Sequence, residues 1–252
     1  MPRKILGVIP ARFQSTRFPG KALALIGGKP MLQHVWERAS RSQYLTAILV
    51  ATDDERIADV ARGFGARVRM TSPEHASGTD RVAEAAASTD AELVVNIQGD
   101  EPLIDPAAID TAILPLVHEP ELSMATLKKR IEDPRETGDP NVVKVVTAHN
   151  GDAIYFSRCA IPFDRDGSNA TPYFKHIGLY VYRRDFLLSY SALEVGPLER
   201  TERLEQLRAL ENGFAIRVVE TEYESLGVDT PEDLKRVSHL YEATLLGGTN
   251  HG

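Results

Sequence analysis

A short apolar run, residues 5–9, opens directly onto Pro10-Ala11-Arg12-Phe13-Gln14-Ser15-Thr16-Arg17-Phe18-Pro19-Gly20-Lys21. The run predicts a buried strand, and the Pro- and Gly-bearing stretch after it predicts a loop. That loop gathers Arg12, Arg17 and Lys21 around Gly20 and the hydroxyls of Ser15 and Thr16. Free main-chain N–H groups ringed by Arg and Lys suit a polyphosphate. Ligands of open α/β sheets bind beyond the carboxyl ends of the strands, where this loop must lie. The spacing is neither a Walker A motif nor a Gly-x-Gly-x-x-Gly fingerprint, which weighs against a nicotinamide or flavin site. A solvated basic loop is the plainer reading, but the cations are too closely interleaved with Ser, Thr, Pro and Gly for a generic surface.

The rest of the first half alternates in kind. Strands are expected over residues 5–9, 47–51, 66–70 and 93–97, and helices over 31–40, 54–64, 79–87 and 106–117. Near-continuous apolar strands separated by helices imply a mostly parallel sheet covered on both faces. The second half reads as strands over 124–130, 142–147, 153–156 and 176–182, with a polar loop over 163–172. A helix over 201–212 closed by Gly213, a strand over 214–220, and a helix capped by Thr230 and running to about 245 complete the pattern. Residues 247–252 read as a disordered tail. The fold class is therefore α/β, in one domain spanning 1–246.

Charge and composition exclude several classes. A net charge of −7 argues against generic nucleic-acid binding, because the cations are concentrated in one loop. Cys159 is the only cysteine, so an intrachain disulfide is impossible and a reducing compartment is expected. No apolar run approaches the roughly 20 residues that span a bilayer. The first residues do not read as a signal peptide, since Pro10 and Arg12 follow a very short apolar stretch.

Asp100, in Gln98-Gly99-Asp100-Glu101, follows the strand over 93–97 and should project at the same sheet edge as the basic loop. A carboxylate beside a triphosphate commonly holds Mg²⁺. In Gly227-Val228-Asp229-Thr230-Pro231, Thr230 caps the helix and Asp233 completes a capping box. Asp229 is then free to face a cation. Ser77-Gly78-Thr79-Asp80-Arg81 reads equally as a capped helix start and as a main-chain edge that recognises a base. Arg158, His176, Tyr180, Glu205 and Gln206 form a polar set in the second half, with His176 and Tyr180 on one strand face. Spacing alone leaves these last two open between structural and functional readings.

The segments at 9–21, 28–31, 51–53, 77–81, 96–102, 141–146, 155–158, 161–166, 176–182, 204–208 and 228–234 together resemble the 3-deoxy-manno-octulosonate cytidylyltransferases over nearly the whole chain. Phe163 departs from the tryptophan usual in that family. The resemblance implies a Rossmann-like nucleotidyltransferase fold: a mostly parallel mixed sheet flanked by helices, with a smaller β-containing dimerisation part. It implies a CTP-binding half over about 1–120 and a sugar-binding and dimerisation half over about 121–246.

It also implies residue roles. Ala11, Arg12, Ser15, Arg17, Lys21, Thr52, Asp53, Ser77, Gly78, Arg81 and Gln98 would hold CTP. Asp100 and Asp229 would bind Mg²⁺, and these two with Lys21 and Arg12 would form the catalytic group. Arg158, His176, Tyr180, Glu205 and Gln206 would hold a 3-deoxy-octulosonate sugar acid. The implied reaction passes CMP from CTP to the anomeric hydroxyl of that sugar in lipopolysaccharide synthesis. An 8-amino variant of the sugar, or a sugar-1-phosphate acceptor, is the alternative. A cytoplasmic homodimer is implied too, with contact expected from exposed apolar residues around 179–190.

Overall fold

The computed structural model describes residues 3–14, 17–75, 77–167 and 171–247. They form two compact units, one built from Met1–Asp110 and Ser225–Gly252, the other from Thr111–Glu224.

The first unit holds four parallel strands, β1 (Ile5–Ala11), β4 (Ala47–Thr52), β5 (Arg67–Met70) and β6 (Leu93–Asn96), in the order β6-β1-β4-β5. Registers align Val8 with Asn96 on one side of β1 and Ala11 with Thr52 on the other. Helices α1 (Met31–Ala39), α2 (Glu55–Gly63) and α3 (Gly78–Ala87) supply the crossovers. Each buries one apolar stripe: Met31, Val35 and Ala39 in α1, Ile57 and Ala61 in α2, Val82 and Ala86 in α3. Asp54 caps α2 through the Arg56 N–H at 2.9 Å, and Ser77 caps α3 through the Asp80 N–H at 3.1 Å.

The chain winds outward from β1 to β4 and β5, then returns through α3 to β6 on the other side of β1. The loops after β1 and β6 therefore diverge at a topological switch point, where a crevice opens beyond the strand ends. The two loops pass very close there. A Cβ on Gly99 would lie 2.7 Å from the main-chain oxygen of Pro10, so only glycine fits.

The pattern over 25–30 had not announced a hairpin, yet β2 (Leu25–Ile26) and β3 (Lys29–Pro30) pair through Gly27-Gly28. Both glycines have positive φ, 54° and 82°, as a two-residue primed turn requires. The hairpin leads into α1. It packs into a cluster of Ile26, Met31, Val228 and Val237, flanked by Phe18, Leu234 and Tyr241. Helix α9 (Pro231–Gly247) brings Val237 and Tyr241 to that cluster, and Thr230 and Asp233 form the expected reciprocal cap at its start, at 3.0 and 3.1 Å. Gly247, placed in the expected tail, is helical; the rest of that stretch, 248–252, lies outside the described residues.

In the second unit a mixed sheet runs β11 (Ile216–Glu220), β7 (Met124–Arg130), β10 (Phe174–Arg183), β8 (Lys144–Thr147) and β9 (Ala153–Ser157). Helix α4 (Pro106–His118) enters it, and α5 (Pro134–Gly138) and α6 (Arg184–Tyr190) join it. The helix expected over 201–212 is two: α7 (Pro197–Glu202) and α8 (Leu207–Glu211). Arg203 stands between them with φ 55°, left-handed, and closes α7 by donating its N–H to Glu199 O at 2.8 Å. No Gly or Pro marks the break in the sequence, so the stretch reads as one helix.

A second correction concerns the stretch 179–190, expected to be exposed. Leu179, Val181, Tyr182, Phe186, Leu187 and Tyr190 are buried. Their rings stack within the unit, Tyr182 against Phe186 and Phe186 against Phe214. The expected polar loop 163–172 falls partly outside the described residues.

Gly99→Ala should destabilise the protein by about 1–3 kcal/mol, because a main-chain oxygen cannot rotate away from the added methyl. Urea unfolding reads this directly, and an unchanged midpoint would refute the crowding.

Candidate active site

A cavity of about 460 Å³ lies at the switch point of the first unit. Its walls are the loops after β1 and β6, the start of α3 and Asp229. Lining it are Ala11, Arg12, Arg17, Lys21, Ser77, Gly78, Arg81, Gln98, Asp100 and Asp229, all expected from sequence. The three expected residues missing from the lining differ in kind. Thr52 is fully buried, its hydroxyl oxygen accepting from the Asp54 N–H at 3.2 Å. Asp53 is paired with Arg81 at 2.9 Å. Ser15 lies outside the described residues.

Lys21 organises the floor. Its ammonium donates to Asp100 Oδ2 at 2.6 Å, Asp229 Oδ1 at 3.0 Å and the carbonyl of Val228 at 3.2 Å. Arg17 donates to the other Asp229 oxygen at 2.8 Å. Burial on its own would lower the Lys21 pKa, but the charges and hydrogen bonds of Asp100 and Asp229 prevail and raise it. The two carboxylate segments are also joined through the main chain, Val228 N–H donating to Asp100 O at 2.9 Å. Carboxylates separated by 129 positions in sequence (229 minus 100) thus converge on one cation.

Gly20, with φ 72°, lets the loop turn into Lys21. The loop neck closes by Gly20 N–H to Phe13 O at 2.8 Å. The Phe13 ring fills the space under Gly20 and carries the Arg56 guanidinium 3.4 Å above its centroid.

The donor set fits a hard divalent cation. Two carboxylates already converge on positive charge, and among the described residues no group of three or more His, Cys, Asp or Glu is arranged to hold a metal with protein donors alone. Such a pair is what Mg²⁺ uses when substrate phosphates and water complete its shell.

Sequence reasoning missed His75, which also lines the cavity. Its ring nitrogen bonds the Glu84 carboxylate. Nothing in the spacing of the two residues signals that contact, since it depends on how segment 71–77 folds back onto α3.

The second polar set gathers in the second unit. The rings of His176 and Tyr180 lie 5.4 Å apart, on one face of β10 as parity predicts. His176 Nε2 meets the Thr126 hydroxyl at 2.9 Å, and Phe156 packs edge-on at 5.0 Å. Desolvation pushes the imidazole down to about 3, so the ring is neutral near pH 7. Burial, then the neighbouring Tyr190 and Glu205, pushes the Tyr180 hydroxyl well above its usual range. Glu205 and Gln206 occupy the turn between α7 and α8 instead of a helix face. The Tyr190 hydroxyl holds the Glu205 carbonyl at 2.7 Å. Arg158 donates to three main-chain carbonyls: Glu202 at 2.8 Å, Pro140 at 2.9 Å and Arg203 at 3.4 Å. It caps the end of α7 and fixes the left-handed turn that carries Glu205 and Gln206.

Comparison with known proteins gives a consistent picture. The cytidylyltransferase family model matches residues 6–222. The 3-deoxy-manno-octulosonate cytidylyltransferase of Solibacter usitatus (strain Ellin6076) is 75% identical over 252 residues, covering 100% of both chains. That of Geobacter metallireducens (strain ATCC 53774 / DSM 7210 / GS-15) is 57% identical, covering 93% of this chain and 96% of its own. A solved CMP:2-keto-3-deoxy-manno-octonic acid synthetase complexed with CTP superposes with a TM-score of 0.92 at 42% identity, covering 96% of this chain and 99% of its own.

The folded-state pKa of His176 lies below its ordinary value of 6.5, so neutral His176 adds stability that is complete above pH 6.5 and fades as pH falls toward 3. Histidine NMR should show this ring still neutral at pH 5. A ring titrating near 6.5 in the folded protein would overturn the assignment.

Proposed function

This chain belongs to the cytidylyltransferase family, and from that premise we infer that it transfers CMP from CTP to the anomeric hydroxyl of 3-deoxy-D-manno-octulosonate, releasing pyrophosphate and giving the CMP-sugar used in lipopolysaccharide synthesis. The convergence of Asp100 and Asp229 on Lys21, beside the Ser77–Gly78 edge, carries the reading.

The chemistry follows from the lining. The sugar hydroxyl attacks the α-phosphorus of CTP, the bond to the bridging oxygen of the β-phosphate breaks, and a proton leaves the attacking hydroxyl. Arg12, Arg17 and Lys21 stabilise the charge that builds on phosphate oxygens. Main-chain groups at Ser77 and Gly78, with Ala11 and Gln98, surround the cytosine. Asp100 and Asp229 would hold Mg²⁺, which would supply charge neutralisation at the phosphates and a lowered pKa for the attacking hydroxyl. When CTP binds, the Lys21 ammonium turns from the carboxylates to the phosphates. Arg158 shapes the sugar site through the 203–206 turn, and its remaining N–H groups meet the sugar carboxylate. Neutral His176 and protonated Tyr180 serve the sugar hydroxyls as hydrogen-bond partners without adding charge.

The working form we propose is a cytoplasmic homodimer. The exposed Ile154, Phe163 and Leu198 of the second unit support a partner surface. Among the described residues no helix is long and apolar enough to cross a membrane. Sedimentation velocity should give twice the mass of the 27.8 kDa chain, and a monomer at micromolar concentration would sink the dimer.

A pyrophosphate-release assay tests the activity. CTP with 3-deoxy-D-manno-octulosonate and Mg²⁺ should turn over, whereas UTP or dTTP with a sugar 1-phosphate should not. Asp100→Asn should lose about a hundredfold or more in kcat while still binding CTP. Near-parental turnover at saturating Mg²⁺ would remove Asp100 from the metal site.

A further inference from the structure

Residues 71–75 follow β5, and Ser77, at the edge assigned above to the cytosine, caps α3. Apart from the Ser77 cap on Asp80, the side-chain bonds that tie the described residues of this segment to α3 reach two residues one helical turn apart, Arg81 and Glu84. Arg81 is buried and donates to the Thr71 hydroxyl at the start of the segment and to Asp53 at 2.9 Å. Glu84 grips the segment twice with one carboxylate oxygen. Oε2 accepts the Ser72 N–H at 2.9 Å and the ring nitrogen of His75. The Ser72 N–H bond, resisted by burial and aided by His75, holds the Glu84 carboxyl below its ordinary value.

The two grips differ in what they reach. Arg81 and His75 line the cavity; Glu84 is not among its lining residues. Glu84 meets the cavity wall through His75, two positions before Ser77. The Ser77 hydroxyl is meanwhile engaged with Asp80, accepting its N–H at 3.1 Å and donating to its carboxylate at 3.0 Å. The cap fixes the helix side of the edge, and Glu84 fixes the incoming side.

We propose that Glu84 is a specificity-determining positioning residue: it pins Ser72 and His75 so that the Ser77–Gly78 edge stands at the height that discriminates cytosine from uracil. The two bases present opposite donor and acceptor patterns at position 4, so a displaced main-chain edge loses discrimination before it loses phosphate binding. The proposal rests on the assignment of that edge to the base.

The test compares Glu84→Ala, Glu84→Gln and Gly78→Val in the full-length protein. Glu84→Ala should raise the KM for CTP about tenfold, the scale of one or two lost hydrogen bonds. It should narrow the CTP-over-UTP ratio of kcat/KM by a similar factor, with kcat and the sugar KM within about twofold of the parent. Glu84→Gln keeps an acceptor for Ser72 and should recover most of the selectivity. An unchanged CTP-over-UTP ratio in Glu84→Ala overturns the proposal, as does a uniform loss in kcat and both KM values. If Glu84→Ala does not fold, Glu84→Met, which keeps the bulk and removes the acceptor, decides in its place, and an unchanged CTP-over-UTP ratio there overturns the proposal. Gly78→Val separates the two layers. If it leaves the ratio unchanged, the edge is not the base reader and the proposal falls with it. If it narrows the ratio while Glu84→Ala does not, only the pinning fails.

Discussion

Two aspartates that share one site repel each other, and the first unit is organised around the cation that relieves this. Lys21 satisfies Asp100, Asp229 and the Val228 carbonyl at once. That arrangement requires three separate stretches of chain to meet. The loop after β1 must turn sharply at Gly20, the loop after β6 must pass within contact of Pro10, and α9 must begin at a fixed height. Each is secured by its own device: a left-handed glycine, a missing Cβ and a capping box. The apolar cluster of Ile26, Met31, Val228 and Val237 then joins the basic loop's continuation to the segment carrying Asp229. The electrostatic centre depends on hydrophobic packing one residue away.

The second unit solves the opposite problem. Its polar set is short of charge where it is most enclosed, because His176 is held neutral and Tyr180 protonated. Arg158 spends its fork on main-chain carbonyls and so stabilises a left-handed arginine. Strain of that kind is uncommon away from functional turns.

Much of this was legible in the sequence for physical reasons. Parallel strands buried on both faces read as uninterrupted apolar runs, so β1, β4 and β6 stood out. The loop at 10–21 and the carboxylates at 100 and 229 are local signals whose meeting follows from strand order. Other features depend on contacts that spacing does not encode. The Gly27-Gly28 hairpin is only six residues long including its turn, too short to show a period. The break at Arg203 sits in a polar run, 199–203, that carries no Gly or Pro to mark it. The burial of 179–190 arises because its aromatic rings pack on one another, which hydrophobicity alone does not separate from an exposed patch. His75 lines the cavity and bonds Glu84 on the following helix, a contact that spacing does not signal.

The first unit is discontinuous: its site needs Lys21 and Asp100 from one stretch of chain and Asp229 from another, beyond the whole of the second unit. A ribosome delivers residues in order, and early domains fold as they emerge. Until residue 229 and the helix behind it have left the exit tunnel, the nascent sheet carries a phosphate loop whose lysine has only Asp100 for a partner. A half-made chain therefore has the cradle without the second carboxylate. Asp229 can thus join Lys21 and Asp100 only after the whole of the second unit has been made.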